Sequence, residues 1–394
     1  MALIGVVSDV HEAFPRLLPF IGIGLVIILG AAYLVALSLA LAICASAGLA
    51  MAVIWALGFI AAFGVPFSYA VLGAIIVMAG IAAIGIGHQI HSAALEMAHG
   101  TGAVAASHKA IRDWAWPLVA GTTAVLPGLI AMPPYPKGPW LDVLLAGVAF
   151  LLALFPIVYV MVPSVASRIA PDEHFFARGN RVREWRENFA AWLARSATPR
   201  WSRVLVGVAF VFFLLPVFDA TARVGVGIPL PSSVAASRWA VSGCISGAIC
   251  ALACRDLRAF FVCTVPPFAL GTAASWICFY TRIAPPEILA QIFLAGACAG
   301  IGAALLLMTA IASHRVHGDE IGAAYGSAVN DSGIVIFIVG AMLFLAAAAF
   351  AMEFDAGMAA AIMVPAQLIA VLVFVPAFAV IFERLFPRRM SVAG

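Results

Sequence analysis

The apolar runs in this chain follow one another so closely that little but membrane helices can be built from it. Eleven stretches of roughly 20 residues, the length needed to cross a hydrocarbon core, lie near 17–37, 39–62, 67–90, 110–132, 141–163, 203–219, 236–254, 258–280, 287–312, 326–350 and 357–382. In lipid every backbone N–H and C=O must find a partner inside the protein, so a spanning segment is a helix or part of a closed barrel. A barrel strand alternates apolar and polar residues over about ten positions, and these runs do not alternate. Charged residues make up only 10% of the chain, against about 25% in soluble domains. The fold class expected is an all-α polytopic membrane protein of about eleven spans.

The spans fall into two groups. Residues 1–165 hold about five and residues 203–394 about six. Between them, 166–202 is the one long polar stretch. There Val182, Trp185, Phe189 and Trp192 recur at helical spacing, opposite Arg181, Arg183, Arg186 and Arg195. This is the pattern of a basic amphipathic helix lying on a membrane surface, where anionic lipid holds it.

Basic residues set orientation. With the N-terminus outside and eleven crossings, only Arg16, Lys137, Arg223, Arg238 and Arg282 of the 21 Lys and Arg fall outside. The reading is therefore N-terminus out and C-terminus in. The first residues carry no basic stretch ahead of an apolar core, so they do not read as a cleavable signal peptide. The seven cysteines include no CxxC pair and are expected as small buried hydrophobes. No nucleic-acid partner is expected.

The two groups repeat. "AGIAAIGIGHQIHSAALEMAHG" closes a span in the first, and "FLAGACAGIGAALLLMTAIASHRVHG" closes one in the second. Gly85 and Gly87 align with Gly300 and Gly302, and Asp113 aligns with Asp331 in the segment that follows. The four glycines are expected to let helices approach closely.

The polar side chains within or beside spans are the functional candidates, because burying them in lipid is costly. They are His88, Gln89, His91, Asp113 and Asp331. A histidine side chain ordinarily titrates in the physiological range, so His88 could exchange a proton, or it could be a polar residue packed between helices. Asp113 and Asp331 could serve a relay or gate, or cap a helix N-terminus. His88 and His91 share a helix face, but a metal needs three or four converging ligands. A third would have to come from His108 or His314. No metal and no cofactor is expected, and no nucleophile elbow, phosphate loop or catalytic acidic pair points to an enzyme.

A glycine-rich span ending in GIG, then a polar inner helix, then a span entering "GTTA" resembles the RND superfamily, nearest its MMPL-type lipid and hopanoid exporters. The resemblance covers about 15–165 and 203–385. It implies two pseudo-repeated halves in a bacterial inner membrane and transport of a hydrophobic substrate. Two departures stand out. Family members carry a large extracytoplasmic domain after the first span of each half, whereas "ATARVGVGIPLPSSVAAS" is all that occupies that place in the second half. In the MMPL branch an Asp follows GIG and serves the proton relay, whereas His88-Gln89 and Ala303-Ala304 stand there in this chain. The expected function is an RND/MMPL-like carrier of lipid, hopanoid or another terpenoid. The alternatives are a membrane module that binds a sterol-like lipid or a protein partner supplying the missing domains, and a histidine-dependent membrane metalloenzyme.

Overall fold

The computed structural model describes residues 29–36, 38–66, 69–131, 140–169, 175–226, 233–283, 286–316, 321–351 and 355–386. All of its regular structure is helical. A helical segment at 29–36, α1, precedes α2 (Leu39–Ala62), α3 (Tyr69–Ala98) and α4 (Ala103–Ala131). Helix α5 runs from Trp140–Pro156 through a π-turn at Ile157–Met161 into Val162–Ala166. The linker helix α6 (Phe175–Ala194) leads to α7 (Pro199–Val226), α8 (Ser233–Cys254), α9 (Arg258–Tyr280) and α10 (Pro286–Val316). Helix α11 joins Ile321–Ala328, a π-turn at Val329–Gly333 and Ile334–Ala351. Helix α12 joins Asp355–Ile369, a π-turn at Ala370–Phe374 and Val375–Leu385.

Eight helices among the described residues are long and apolar enough to cross a membrane, and they lie in α2 to α5 and α9 to α12. The chain is a multi-pass membrane protein. Of the other three expected spans, 203–219 lies within α7, and 236–254 holds a shorter apolar helix at Ala240–Cys254. The first, 17–37, falls mostly outside the described residues, which include only its 29–36 portion.

Helix order repeats with the sequence. α3, α4 and α5 of the first half correspond to α10, α11 and α12 of the second. The last helix of each half shows why. Pro163 follows the π-turn of α5 and Pro376 that of α12, a spacing of 213 (376 minus 163). A proline has no N–H for the carbonyl a turn behind it, and its ring crowds that carbonyl. Widening the preceding turn relieves the crowding, and the freed carbonyls are then taken by side chains. Gln89 Nε2 donates to the Val158 carbonyl at 2.9 Å, and the Tyr325 hydroxyl donates to the Leu372 carbonyl. Val158 and Leu372 each lie within the widened turn.

Neighbouring helices meet across small residues, because lipid tails are as apolar as the core and association rests on close packing. A Cβ on Gly85 would collide with Leu118 of α4, and one on Gly87 would lie 2.9 Å from Val335 of α11. A Cβ on Gly302 would lie 2.6 Å from the carbonyl oxygen of Gly121 in α4, and one on Gly121 would lie 3.1 Å from that of Gly302. The halves therefore touch through two exchanged pairs, α3 with α11 and α10 with α4.

The linker helix is tied to the bundle by Phe189, which packs on Phe337 of α11 at 4.9 Å between ring centroids. Trp185 and Trp192 stack on Phe189 from either side at 5.6 and 6.2 Å. The expected apolar face is thus split, with Phe189 turned to the bundle and the two tryptophans left exposed.

Candidate functional site

The C-terminal end of α3 carries His88, Gln89 and His91, and each finds a different environment. His88 is 1% exposed and stacks on Trp114 of α4 at 4.6 Å, with the rings 12° from parallel. Neither of its ring nitrogens has a hydrogen-bond partner among the described residues. Gln89 spends its amide N–H on the α5 π-turn. His91 lies within hydrogen-bond distance of the Val35 carbonyl of α1, with Nδ1 at 3.0 Å. Beyond them Gly100, at φ 85°, turns the chain out of α3, a left-handed conformation that suits glycine. The Gly100 N–H donates to Met97 and the Thr101 N–H to Glu96, both at 3.0 Å, which closes the helix end as a Schellman turn does. Lys109 of α4 pairs with Glu96 across this turn.

The two aspartates stay away from His88. Asp113 pairs with its neighbour Arg112 at 3.2 Å on an exposed surface. Asp331 lies in the π-turn of α11, where His314 Nε2 of α10 is 3.1 Å from Oδ2. Arg315, the next residue, pairs with Glu383 of α12. Neither His108 nor His314 joins His88 and His91, and no three His, Cys, Asp or Glu side chains among the described residues converge as a metal site would require.

Next to the α3 glycines lies a groove of about 290 Å³. Its walls come from α1 (Ala31, Val35), α2 (Ala45, Leu49, Val53), α3 (Ile75, Ile76, Gly80, Ala83, Gly87) and α11 of the other half (Val339, Met342, Leu343, Ala346). Its lining is aliphatic apart from Ser46, whose buried hydroxyl has no hydrogen-bond partner among the described residues. Ile76, 67% exposed, stands at its edge. Among the described residues the groove lies between α2 and α11 along α3, where Leu343 and Val335 of α11 approach Gly80 and Gly87. In the second half α8 packs on α4, and Cys298 of α10 occupies the space beside Gly128.

The glycines and the polar cluster were legible in the sequence. Three features were not read there: Gly121 as the partner of Gly302, Tyr325, and the Val-Pro pairs at 162–163 and 375–376. Only the Val-Pro pairs carried a visible signal, their spacing of 213 beside the repeat offsets of 215 and 218. Replacing Gln89 by Leu is expected to lower stability by about 1–3 kcal/mol, the cost of orphaning a buried carbonyl. Chemical denaturation in detergent, monitored by tryptophan fluorescence, would measure it.

No family model matches the sequence, and no curated protein sequence matches it. Solved structures do match. SecDF in a super-membrane-facing form superposes with a TM-score of 0.69 at 12% identity, over 95% of this chain and 62% of its own. SecDF from Thermus thermophilus, a translocon-associated membrane protein, superposes with a TM-score of 0.61 at 13% identity, over 92% of this chain and 62% of its own. The described helices thus share the membrane fold of these SecDF chains. The chain spans less than two thirds of the length of these SecDF chains.

Proposed function

We propose that the chain is an RND-type membrane carrier of a hydrophobic molecule, a lipid, hopanoid or other terpenoid, that enters laterally into the groove beside Gly80 and Gly87. The observation that carries this reading is the groove: aliphatic, edged by the exposed Ile76, and walled by both halves. Rocking of the halves about the Gly121–Gly302 contact would change its width, as repeat-based transporters do. In this reading the proton-exchanging pair is His314 with Asp331, which are in contact, rather than His88, whose ring nitrogens have no hydrogen-bond partner among the described residues. The protein carries out no covalent chemistry and sits in a bacterial inner membrane, N-terminus out and C-terminus in, as its basic residues favour.

A second reading has one observation in its favour. Only "ATARVGVGIPLPSSVAAS" separates the first two expected spans of the second half, which supports a membrane module whose extracytoplasmic domains come from a protein partner.

The test is the lipid that copurifies in native membrane discs, identified by mass spectrometry. Wild type is expected to hold one specific lipid, and Gly80→Phe and Ala346→Phe, which fill the groove, are expected to lose it. Bulk lipid alone, unchanged by either variant, would end the carrier reading and leave the partner-bound module.

A further inference from the structure

A second cavity, independent of the groove, lies at the elbow where the linker enters the second half. It measures about 320 Å³ and is lined by Trp192, Arg195, Trp201, Leu205 and Val373. Trp192 and Trp201 are 58% and 56% exposed. Aromatic side chains of this kind settle at the headgroup level of a bilayer, and Trp201 stands at the start of α7. The cavity floor reaches Val373, inside the π-turn of α12.

The hydroxyls of the elbow are spent on its own backbone. Ser196 Oγ donates to the Leu193 carbonyl at 2.7 Å, and Ser202 Oγ donates to the Thr198 carbonyl at 2.8 Å. Ala190, Leu193 and Ala197 are buried beneath them. That leaves Arg195 as the charged group in the lining. Its guanidinium is exposed and pairs with no carboxylate among the described residues. Arg200 and Arg203 add exposed positive charge beside Trp201. Along the sequence, the nearest acids are Glu184 and Glu187, two or more turns back along α6.

We propose that this elbow binds an anionic phospholipid, with the phosphate on Arg195 and the upper acyl carbons against Trp192, Trp201 and Leu205. The chemistry of the lining selects that occupant. A guanidinium donates paired hydrogen bonds to a phosphate, two tryptophans flank it at interface depth, and an apolar cavity lies directly beyond. A zwitterionic lipid would fill the cavity equally well but would gain less from three nearby arginines. Because the linker touches α11 through Phe189 and α12 through Val373, the bound lipid would brace both against the elbow.

The experiment uses the full-length protein in discs of phosphatidylcholine with one tenth phosphatidylglycerol, and counts retained lipids by native mass spectrometry. Wild type is expected to enrich phosphatidylglycerol at least threefold over its share. Arg195→Gln is expected to abolish that enrichment, and Trp201→Ala to lower retention of both lipids. Arg195 is exposed, so its variant keeps the fold even if the tryptophan variant does not. Gly80→Phe, which fills the distant groove, is expected to leave the enrichment intact, which separates this site from the carrier reading. No enrichment in wild type, or enrichment that survives Arg195→Gln, overturns the proposal. So does full competition by soluble glycerophosphoglycerol, since that would mean the headgroup alone is bound.

Discussion

Replacing Gly302 with Leu is expected to split the bundle along the seam between its halves. A Cβ at this position would sit 2.6 Å from the Gly121 carbonyl oxygen and 3.2 Å from Ile81. The first obstacle is backbone, which no rotamer change can move aside. Overpacking a tight contact costs about 1–3 kcal/mol where side chains can yield, and a rigid backbone obstacle adds to that. Gly302→Ala is therefore expected at the upper end of that range, and Gly302→Leu beyond about 4 kcal/mol, where single substitutions become exceptional. Gly121→Ala should cost less than Gly302→Ala, since its added carbon would be 3.1 Å from the facing oxygen. The control carries the opposite sign. Gly207 in α7 has nothing within 4 Å of an added Cβ, so Gly207→Ala should gain about 0.5–1 kcal/mol of helix stability. Thermal melts in one detergent would order the four variants. A melting point for Gly302→Ala at or above wild type would mean the halves do not meet here.

The second large effect is expected at Gly85 and Leu118, where α3 meets α4. Leu118 is fully buried, and the space a Cβ on Gly85 would need is already taken by its side chain. Leu118→Ala should cost about 2–5 kcal/mol through the cavity it leaves. Gly85→Ala alone should cost about 1–3 kcal/mol through crowding. Together they move volume from one helix to the other, so the double variant should be more stable than Leu118→Ala alone. A double-mutant cycle reads that coupling directly. Simple additivity of the two costs would mean that the side chains do not share the space.

Gly85, Gly87, Gly300 and Gly302 could be read as close-approach sites because a repeated GIG at the end of a span is a local pattern. The polar cluster at His88, Gln89 and His91 was equally visible, since polar groups are conspicuous in an apolar run. What each of them touches was not. Gln89 and Tyr325 serve the carbonyls freed by prolines in other helices, 69 and 47 residues away in sequence. Asp113 and Asp331 occupy equivalent places in the repeat, yet Asp113 meets its own neighbour Arg112 while Asp331 meets His314 of another helix.

By itself the sequence determined that the chain crosses a membrane many times, that its halves repeat, and where its helices can come close. These follow from hydropathy, from the need to satisfy every backbone group in lipid, and from glycine spacing, all of which act within one segment. The tertiary structure alone decided how each helix is turned about its axis. That choice put His88 against Trp114, Gly302 against Gly121, and an apolar groove beside Gly80. In water an apolar stripe would have announced the buried face. In a bilayer the lipid-facing and protein-facing sides are both apolar, so the stripe is missing and only packing between helices distant in sequence fixes the rotation.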